Sequence, residues 1–369
     1  MAAARKLPAW ADYGLLPLLN LTLAFLVSGV VVVILGENPL EAVEILVYGA
    51  FGYGEAVGYT LYYATNFIFT GLAVAVAFHA GLFNIGGEGQ AYLGGLGLSL
   101  VAIQLGHLPG ILSIPLAILA AMLLGGIWGL IPGWLQARRG SHVVITTIML
   151  NFVASALMTY LMVNVLIKPG QSTPESVTFA PSVWMPPLKP ALELVGLDLG
   201  YAPVNLSLVL ALLCCFGTWL FVWRSRVGYE LRVVGQSEPA AVYGGISPAH
   251  RIMLAMALSG ALAGLMATNE ILGAQHRLIL GFTGGYGFVG IAVALMGRNH
   301  PVGIVLAALL FGALYQGGSE LSFDMPRINR DLVVVIQGLV ILFAGALENM
   351  FRPSLEALLA RRSPEPMPA

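Results

Sequence analysis

Asn84, Glu88 and Gln90 stand among three glycines in the segment FNIGGEGQ, which begins at Phe83. Glycines at this density favour the break or the start of a helix. The segment lies between two apolar runs. Amide and carboxylate groups that face lipid are costly, so these side chains should face the interior of a helix bundle. There they would line the path of a polar solute. The alternative is a packing turn whose polar atoms bond neighbouring backbone.

A second glycine-rich segment, GFTGGYGFVG, begins at Gly281 and matches the first in its Phe, its paired glycines and its third glycine. Glycine-interrupted spans in two oppositely oriented halves indicate an inverted repeat with a binding region between them. Because the match is short, an unrelated glycine-rich turn is the other interpretation. A true repeat would bring four aromatic rings near the polar groups of the first segment: Phe83, Phe282, Tyr286 and Phe288. Aromatic faces beside hydrogen-bonding groups suit a flat, polar, uncharged ligand such as a nucleoside or a sugar.

A hydrophilic segment from Arg224 to Arg251 separates two long apolar runs and carries four of the chain's 17 basic residues. A short basic loop between spans of this kind is typical of the cytoplasmic face of a membrane protein. We interpret it as a docking element for a partner protein. This interpretation favours one subunit of an energy-driven complex over a self-contained channel.

A short helix is predicted inside this hydrophilic segment. Ser237 suits its N-cap, Glu238 suits its first turn, and Gly244 ends it after about two turns. The helix would lie parallel to the membrane and expose Ala240, Ala241 and Tyr243 to a partner. A plain re-entry loop is the alternative. The predicted coupling residues are Arg232, Gln236, Ser237, Glu238, Ala240, Ala241, Tyr243 and Gly244.

Long apolar runs must position these segments, because the chain is 58% hydrophobic and only 9% charged. A soluble domain carries about 25% charged residues, whereas about 20 apolar residues cross a bilayer as one helix. We therefore expect an all-α polytopic membrane helix bundle with about ten transmembrane helices and an inverted repeat. The predicted spans are approximately 15–36, 57–80, 88–105, 111–135, 143–167, 204–223, 252–272, 284–297, 301–319 and 331–349. The third and the eighth are short and interrupted by glycine, and each is either a span or a re-entrant segment.

The distribution of basic residues predicts that both termini lie in the cytoplasm. With alternating spans, 12 of the 17 basic residues fall in inside segments and five in outside segments, as the positive-inside rule requires. The outside segment 37–56 has the pattern of an amphipathic helix at the interface. The outside segment 168–203 holds seven prolines and is expected to be a stiffened loop.

Several motifs are absent from the sequence, and their absence narrows the function. None of the three lysines follows a glycine, so the chain has no phosphate-binding loop for ATP. Neither HExxH nor GxSxG occurs, which leaves an intramembrane hydrolase unsupported. The only cysteines, Cys214 and Cys215, are adjacent in an apolar run, and no metal-ligand spacing occurs. We predict no catalytic residue, no metal site and no cofactor, and a net charge of −1 makes nucleic acid an unsuitable partner.

The sequence resembles the permease subunits of bacterial ATP-binding-cassette importers in three segments: FNIGGEGQAYLGG, GYELRVVGQSEPAAVYGGISPAHR and GGYGFVGIAVALMGRNHPVGI. The subgroup is the one for simple sugars and nucleosides, related to the branched-chain amino acid and ribose permeases. The resemblance covers roughly residues 60–350. It implies a second permease subunit, a cytoplasmic ATPase that binds the ATP, an extracytoplasmic solute-binding protein and a place in the bacterial plasma (inner) membrane.

The resulting hypothesis is a permease domain over residues 1–350, with a cytoplasmic coupling segment at 224–251 and a cytoplasmic tail at 351–369. It would import nucleosides or simple sugars by alternating access. The alternative is an ion-coupled secondary transporter, which should hold paired intramembrane carboxylates, and only Glu88 and Glu270 are candidates. We expect Glu270 at the outer mouth or the interface. A structural membrane subunit is a third possibility. The exact substrate, and whether the permease pair is homomeric or heteromeric, stay open.

Overall fold

A computed structural model describes residues 8, 11–194, 196–343, 352, 353, 355 and 356. The predicted cytoplasmic tail at 351–369 therefore lies almost wholly outside the described residues. The last part of the predicted span 331–349 lies outside them too.

Helices form nearly all of the regular structure in the described residues. They are α1 (Leu16–Ile34), α2 (Pro39–Phe51), α3 (Gly54–His79), α4 (Gly87–Leu105), α5 (Gly110–Arg139), α6 (Val143–Asn164), α7 (Lys189–Glu193), α8 (Ser207–Trp219), α9 (Arg226–Gln236), α10 (Glu238–Tyr243), α11 (Pro248–Ala267), α12 (Tyr286–Met296), α13 (Pro301–Asp324) and α14 (Arg330–Ile341). Three π-helical segments, Ala11–Leu15, Leu220–Arg224 and Thr268–Gln275, precede α1 or extend α8 and α11. Within the described ranges the only β pairing is two isolated bridges, so the all-α prediction is confirmed.

As far as its residues are described, each predicted span coincides with a helix, because a long apolar run can satisfy its backbone in lipid only by forming one. Among the described residues, six helices are long and apolar enough to cross a membrane. A seventh crossing is counted if α1 and α2, which are bent by 118° at their junction, form one broken span. The third and eighth predicted spans are the shorter helices α4 and α12, of 19 and 11 residues. The chain is thus a multi-pass helical membrane protein, and the number of ten crossings stays a prediction.

The described residues fold into two compact units. The first unit comprises the chain up to Gly49 and from Gly317 onward. Seven buried apolar side chains form its core: Val32, Ala42, Leu321, Met325, Ile328, Val333 and Ile336. The amphipathic helix predicted in 37–56 is present as α2, with Leu40 and Val43 exposed and Leu46 buried.

The second unit, Ala50–Gln316, contains both glycine-rich segments and the hydrophilic segment. Its centre is the crossing of α4, α5 and α11, where glycines bring the backbones into contact. A Cβ added to Gly94 would lie 2.3 Å from the Cα of Gly264, and one added to Gly260 would lie 2.2 Å from the carbonyl oxygen of Gly125. Small residues at a crossing are what close packing of membrane helices requires, and they fix α4 firmly on α11.

The proline-rich loop between α6 and α8 is fastened to the segment that follows α11. Glu175 pairs with Arg277 at 3.0 Å, and the ring of Trp184 stacks on the ring of His276 at 3.9 Å between centroids. The backbone N–H of Ser176 donates to the carbonyl of Leu278 at 2.9 Å. These contacts hold the loop against the end of the π-helical segment Thr268–Gln275.

Candidate functional site

The two glycine-rich segments meet in the second unit. We name them the first break (Phe83–Gln90) and the second break (Gly281–Gly290). α4 begins at Gly87 in the first break and α12 begins at Tyr286 in the second. A Cβ added to Gly287 would lie 2.3 Å from the backbone nitrogen of Glu88. The starts of the two helices are therefore in backbone contact, and a side chain at position 287 would separate them.

Glu88 joins the two breaks through its carboxylate. Its Oε1 accepts a hydrogen bond from the backbone N–H of Gly285 at 3.0 Å, and its Oε2 accepts one from Gly287 at 2.9 Å. The first backbone N–H groups of a helix have no partner within the helix and carry partial positive charge. A carboxylate placed there satisfies two of these donors of α12 from another helix.

Asn84 and Gln90 satisfy the first break from within. The Nδ2 of Asn84 donates to Oε1 of Gln90 at 2.9 Å and to Oγ of Ser259 at 2.7 Å. Its Oδ1 accepts from the backbone N–H of Gly86 at 2.8 Å. Both amide side chains are buried. In this conformation they bond neighbouring protein groups, as the packing-turn interpretation expected, and their place on a substrate pathway stays a prediction.

Sequence reasoning missed two residues of this network. Asn151 on α6 donates to the carbonyl of Ile85 at 2.9 Å and accepts from the N–H of Gly89 at 2.9 Å. Ser259 on α11 donates to the carbonyl of Ala73 at 2.6 Å. Both are polar residues inside predicted spans, and their position in an apolar run was the available signal.

Tyr286 contacts a group of aromatic rings on α3 and α13. Its ring centroid lies 6.3 Å from that of Tyr63, 5.5 Å from Phe67 and 5.9 Å from Tyr315. Phe67 also packs on Phe311 at 6.3 Å. We name these five residues the aromatic cluster. Its three tyrosines are partly exposed, so the cluster presents ring faces and edges beside the second break.

The other three predicted aromatic residues lie apart from Tyr286. Phe83 packs on Phe78 at 6.3 Å, and the buried ring of Phe282 packs on Tyr92 at 5.5 Å. Phe288 is exposed. Phe83 and Phe282 thus pack on rings other than that of Tyr286, and Phe288 points to a different side of α12 from Tyr286. The gathering of all four rings near the first break stays a prediction.

Glu270 is buried, with an exposed fraction of 4%, so the expectation of an interfacial position is wrong, and a position at the outer mouth stays a prediction. It lies in the π-helical segment Thr268–Gln275, where its Oε1 accepts from Nδ2 of Asn66 at 2.5 Å. Asn269 donates to Oδ1 of Asn66 at 2.9 Å and to the carbonyl of Tyr62 at 3.0 Å. Asn205, just before α8, donates to Oδ1 of Asn269 at 2.9 Å.

The predicted short helix in the hydrophilic segment is present as α10, Glu238–Tyr243. The hydroxyl of Ser237 accepts from the backbone N–H of Ala240 at 3.4 Å, so Ser237 is the N-cap. Gly244 is the C-cap and Gly245 has a φ of +75°, a conformation that glycine adopts without strain. Caps are local features, which explains why they were predictable from sequence.

The exposed face of α10 differs from the predicted one. Ala241 has an exposed fraction of 0% and packs in a core cluster with Leu231 and Ile252, so its predicted exposure is wrong. Val242 and Tyr243 have exposed fractions of 61% and 97%. Together with the exposed Ala240, Gln236 and Glu238, they form the outward surface of this segment, and Arg232 is half-buried.

Glu230 fastens the hydrophilic segment to α11. Its carboxylate pairs with Arg226 one turn earlier at 2.9 Å and with Arg251 at 2.7 Å. The Glu230 side chain is largely buried, while that of Arg226 is exposed. Because Arg251 belongs to α11, its ion pair with Glu230 joins α9 to α11. Sequence reasoning did not single out Glu230.

The described residues hold no group of three or more His, Cys, Asp or Glu side chains that could bind a metal ion. What they hold is a set of apolar spans, two helices that begin inside the bundle and meet, and a capped short helix with an exposed face. Helices that begin within a bundle at matching breaks are typical of membrane transporters. Fold and site together define a multi-pass membrane transport protein.

The chain belongs to the family described as branched-chain amino acid transport system, permease component, whose model matches residues 56–345. The glucose ABC transporter permease protein of Haloferax volcanii is 37% identical over 344 residues, which are 92% of this chain and 88% of that protein. The guanosine permease protein of Bacillus subtilis is 35% identical, over 90% of this chain and 93% of its own. The nucleoside permease protein of Lactococcus lactis is 32% identical, over 89% and 90%. No solved structure matches the chain significantly.

The chain is therefore the permease subunit of an ABC importer, as the resemblance indicated. Permease subunits are transport components rather than enzymes, and ATP hydrolysis in such a system belongs to a separate ATPase subunit. Membership of the family implies no cofactor of its own. The alternatives of an ion-coupled secondary transporter and of a structural subunit are disfavoured by this assignment.

Proposed function

We propose that this permease imports nucleosides or simple sugars. The observation that carries the proposal is the match, over about nine tenths of each chain, to permeases named for guanosine, nucleosides and glucose. The chemistry of the second unit supports it, because the aromatic cluster offers partly exposed tyrosine rings and the Glu88 carboxylate bonds the backbone on both sides of Tyr286. Aromatic faces with nearby hydrogen-bonding groups suit bases and sugar rings.

The permease works in an assembly with a cytoplasmic ATP-binding subunit, a second permease subunit and an extracytoplasmic solute-binding protein. It lies in the plasma membrane of a bacterium with both termini in the cytoplasm, the orientation favoured by its basic residues. The permease domain covers residues 1–350, the segment 224–251 docks the ATPase, and residues 351–369 form a cytoplasmic tail. The solute-binding protein docks on the opposite face, near 37–56 and 168–203.

Transport proceeds by alternating access around the meeting point of the two breaks. The substrate pathway includes Glu88 and Tyr286, with Tyr63 and Tyr315 as further lining residues. Asn84, Gln90, Phe83, Phe282 and Phe288 belong to the same proposed pathway. Glu88 ties the start of α4 to the start of α12 in this conformation. A state with different access must remake these contacts, and the free energy for that change comes from the partner ATPase.

The test of the substrate proposal uses the assembled importer in proteoliposomes with ATP inside. Uptake of labelled guanosine and of labelled glucose is measured, each with the other as competitor. We expect ATP-dependent uptake of one class, a decrease of at least tenfold for Tyr286→Ala, and a near-normal rate for Tyr286→Phe. Phe152→Ala, at an exposed aromatic residue of α6, is the matched control. Accumulation by the chain alone on an ion gradient would overturn the proposal.

The docking role of α10 is tested at its exposed face. Tyr243→Ala with Val242→Ala removes exposed apolar side chains without touching the buried Ala241. We expect weaker co-purification of the ATPase subunit and a loss of the stimulation of ATP hydrolysis by loaded binding protein. Tyr160→Ala removes an exposed aromatic residue of α6, outside the docking segment, and should leave both unchanged. Wild-type coupling in the double variant would count against docking through this face.

A further inference from the structure

The imidazole of His79, at the last residue of α3, is in contact with two other elements. Its Nε2 is 3.0 Å from the carbonyl oxygen of Asn299, in the turn between α12 and α13. Its ring packs edge-on against Trp223, with centroids 4.9 Å apart, and Trp223 also packs on His300 at 5.1 Å. We name His79, Trp223, Asn299 and His300 the His79 cluster. It connects the end of α3, the extension of α8 and the turn before α13.

The backbone of the same residue is in contact with α9. A Cβ added to Gly235 would lie 2.3 Å from the carbonyl oxygen of His79 and 2.7 Å from the backbone nitrogen of Gly81. Gly81 itself has a φ of +74°. Contact of backbone with backbone leaves no side chain between the elements that could absorb a displacement. A movement of α9, which carries α10 directly after it, must therefore displace the end of α3.

The turn that accepts the His79 contact is held in a conformation that few residues adopt. Arg298 and Asn299 both have positive φ, at 52° and 54°. Left-handed backbone at residues other than glycine costs about 1 kcal/mol or more and persists only where the surroundings fix it. The backbone of this turn is bonded to the end of α12: the N–H of Arg298 donates to Leu295 and that of Asn299 to Ala294. The turn and α12 are thus one structural piece.

These contacts form a continuous connection from the docking helix to the second break. α10 follows α9, and α9 touches His79. His79 in turn contacts Asn299, whose turn ends α12, and the backbone N–H groups at the start of α12 donate to Glu88. All of these groups lie in the second unit. The contact of His79 with Asn299 is a side-chain hydrogen bond between two elements of this connection, whereas α9 meets the end of α3 through backbone contact.

We propose that His79 is a positioning residue for transport coupling, which transfers the displacement of α9 and α10 to the turn of Asn299 and so to the start of α12. The proposal rests on the proposed docking of the ATPase at α10. His79 contacts neither substrate nor ATP in this role. Loss of the His79–Asn299 contact should let ATP hydrolysis continue while transport falls. The importer should still assemble.

Two substitutions distinguish this role from simple packing. His79→Phe keeps a ring against Trp223 but removes the nitrogen that contacts Asn299. His79→Gln places an amide nitrogen near the same carbonyl and keeps a donor. In the complete importer in proteoliposomes, we expect His79→Phe to keep at least half of the wild-type rate of ATP hydrolysis while substrate uptake falls at least tenfold. His79→Gln should recover a substantial part of the uptake per ATP hydrolysed.

His142→Ala provides the matched control, since His142 is an exposed histidine at the start of α6; its ratio of uptake to hydrolysis should equal that of the wild type. Equal ratios for wild type and His79→Phe, including a parallel fall of both rates, would overturn the proposal. If His79→Phe does not assemble, His79→Leu, which removes the same nitrogen with a smaller apolar side chain, is measured with the same criterion. Failure of the proposed function would look different, because wild-type uptake would then not depend on ATP.

Discussion

At the first break, the chain supplies its own polar side chains. Asn84 and Gln90 bond each other and the local backbone, and Asn151 and Ser259 complete the network. At the second break, the start of α12 receives its acceptor from Glu88 of the first break. The two segments resemble each other in their glycines, yet the first is satisfied partly by its own amide side chains, whereas the second takes its acceptor from the first.

This difference shows that the two breaks are complementary rather than interchangeable. The glycines allow both helices to begin inside the bundle with their backbones in contact. The carboxylate of Glu88 stabilises that contact. An inverted repeat of the chain stays a proposal, but a repeat in backbone does not require a repeat in side chains. Glu88 of the first break supplies the hydrogen-bond acceptor that the second break lacks.

The strongest way to break this arrangement is Gly287→Ala. The added Cβ would meet the backbone of Glu88 at 2.3 Å and that of Gly87 at 2.6 Å, which backbone cannot relieve without moving a helix. Overpacking of this kind costs about 1–3 kcal/mol or more. We expect uptake to be lost and the thermal midpoint of the purified complex to fall. Gly217→Ala, at a helical glycine with open space around it, should change neither.

A smaller effect is expected for Glu88→Ala, which leaves two N–H groups of α12 without their acceptor. Hydrogen bonds to charged groups contribute about 1.5–3 kcal/mol each, so uptake should fall at least tenfold while the complex still assembles on size-exclusion chromatography. Glu88→Gln keeps one acceptor oxygen and should lie between the two. Normal uptake by Glu88→Ala would remove this residue from the pathway.

The smallest effect is predicted for Ser259→Ala, which tests whether the first break is satisfied redundantly. Asn84 would lose one neutral bond and keep its partner Gln90. A neutral hydrogen bond contributes about 1 kcal/mol, so we expect a modest fall in thermal midpoint and less than a threefold change in uptake. A loss as large as that of Glu88→Ala would show that the first break is no more robust than the second.

The sequence predicted the features that depend on local chemistry. In the part of the chain that the structure describes, the ten apolar runs coincide with helices, since length and hydrophobicity alone determine that choice in lipid. The N-cap at Ser237 and the end of α10 at Gly244 were also predictable, because capping depends on the residues at the helix ends themselves. Features that depend on which face of a helix meets a neighbour were not: Ala241 is buried by its contact with α9 and α11, and Phe288 points away from Tyr286.

Glu270 shows the limit most clearly. Its burial depends on Asn66 and on Asn269, of which Asn66 is 204 residues away along the chain, and no local pattern links them. Its position in a π-helical segment, a feature often found at functional sites, is likewise a result of packing that periodicity does not reveal.

The amide and carboxylate contacts around Glu270 have a consequence for how the permease can move. Asn66 and Tyr62 on α3 are pinned at three points by two consecutive residues that extend α11. Sliding one helix along the other would leave several buried polar groups unsatisfied at once. α3 and α11 should therefore move as one rigid body during the transport cycle. The hinges should lie in the glycine-rich segments on either side of this helix pair.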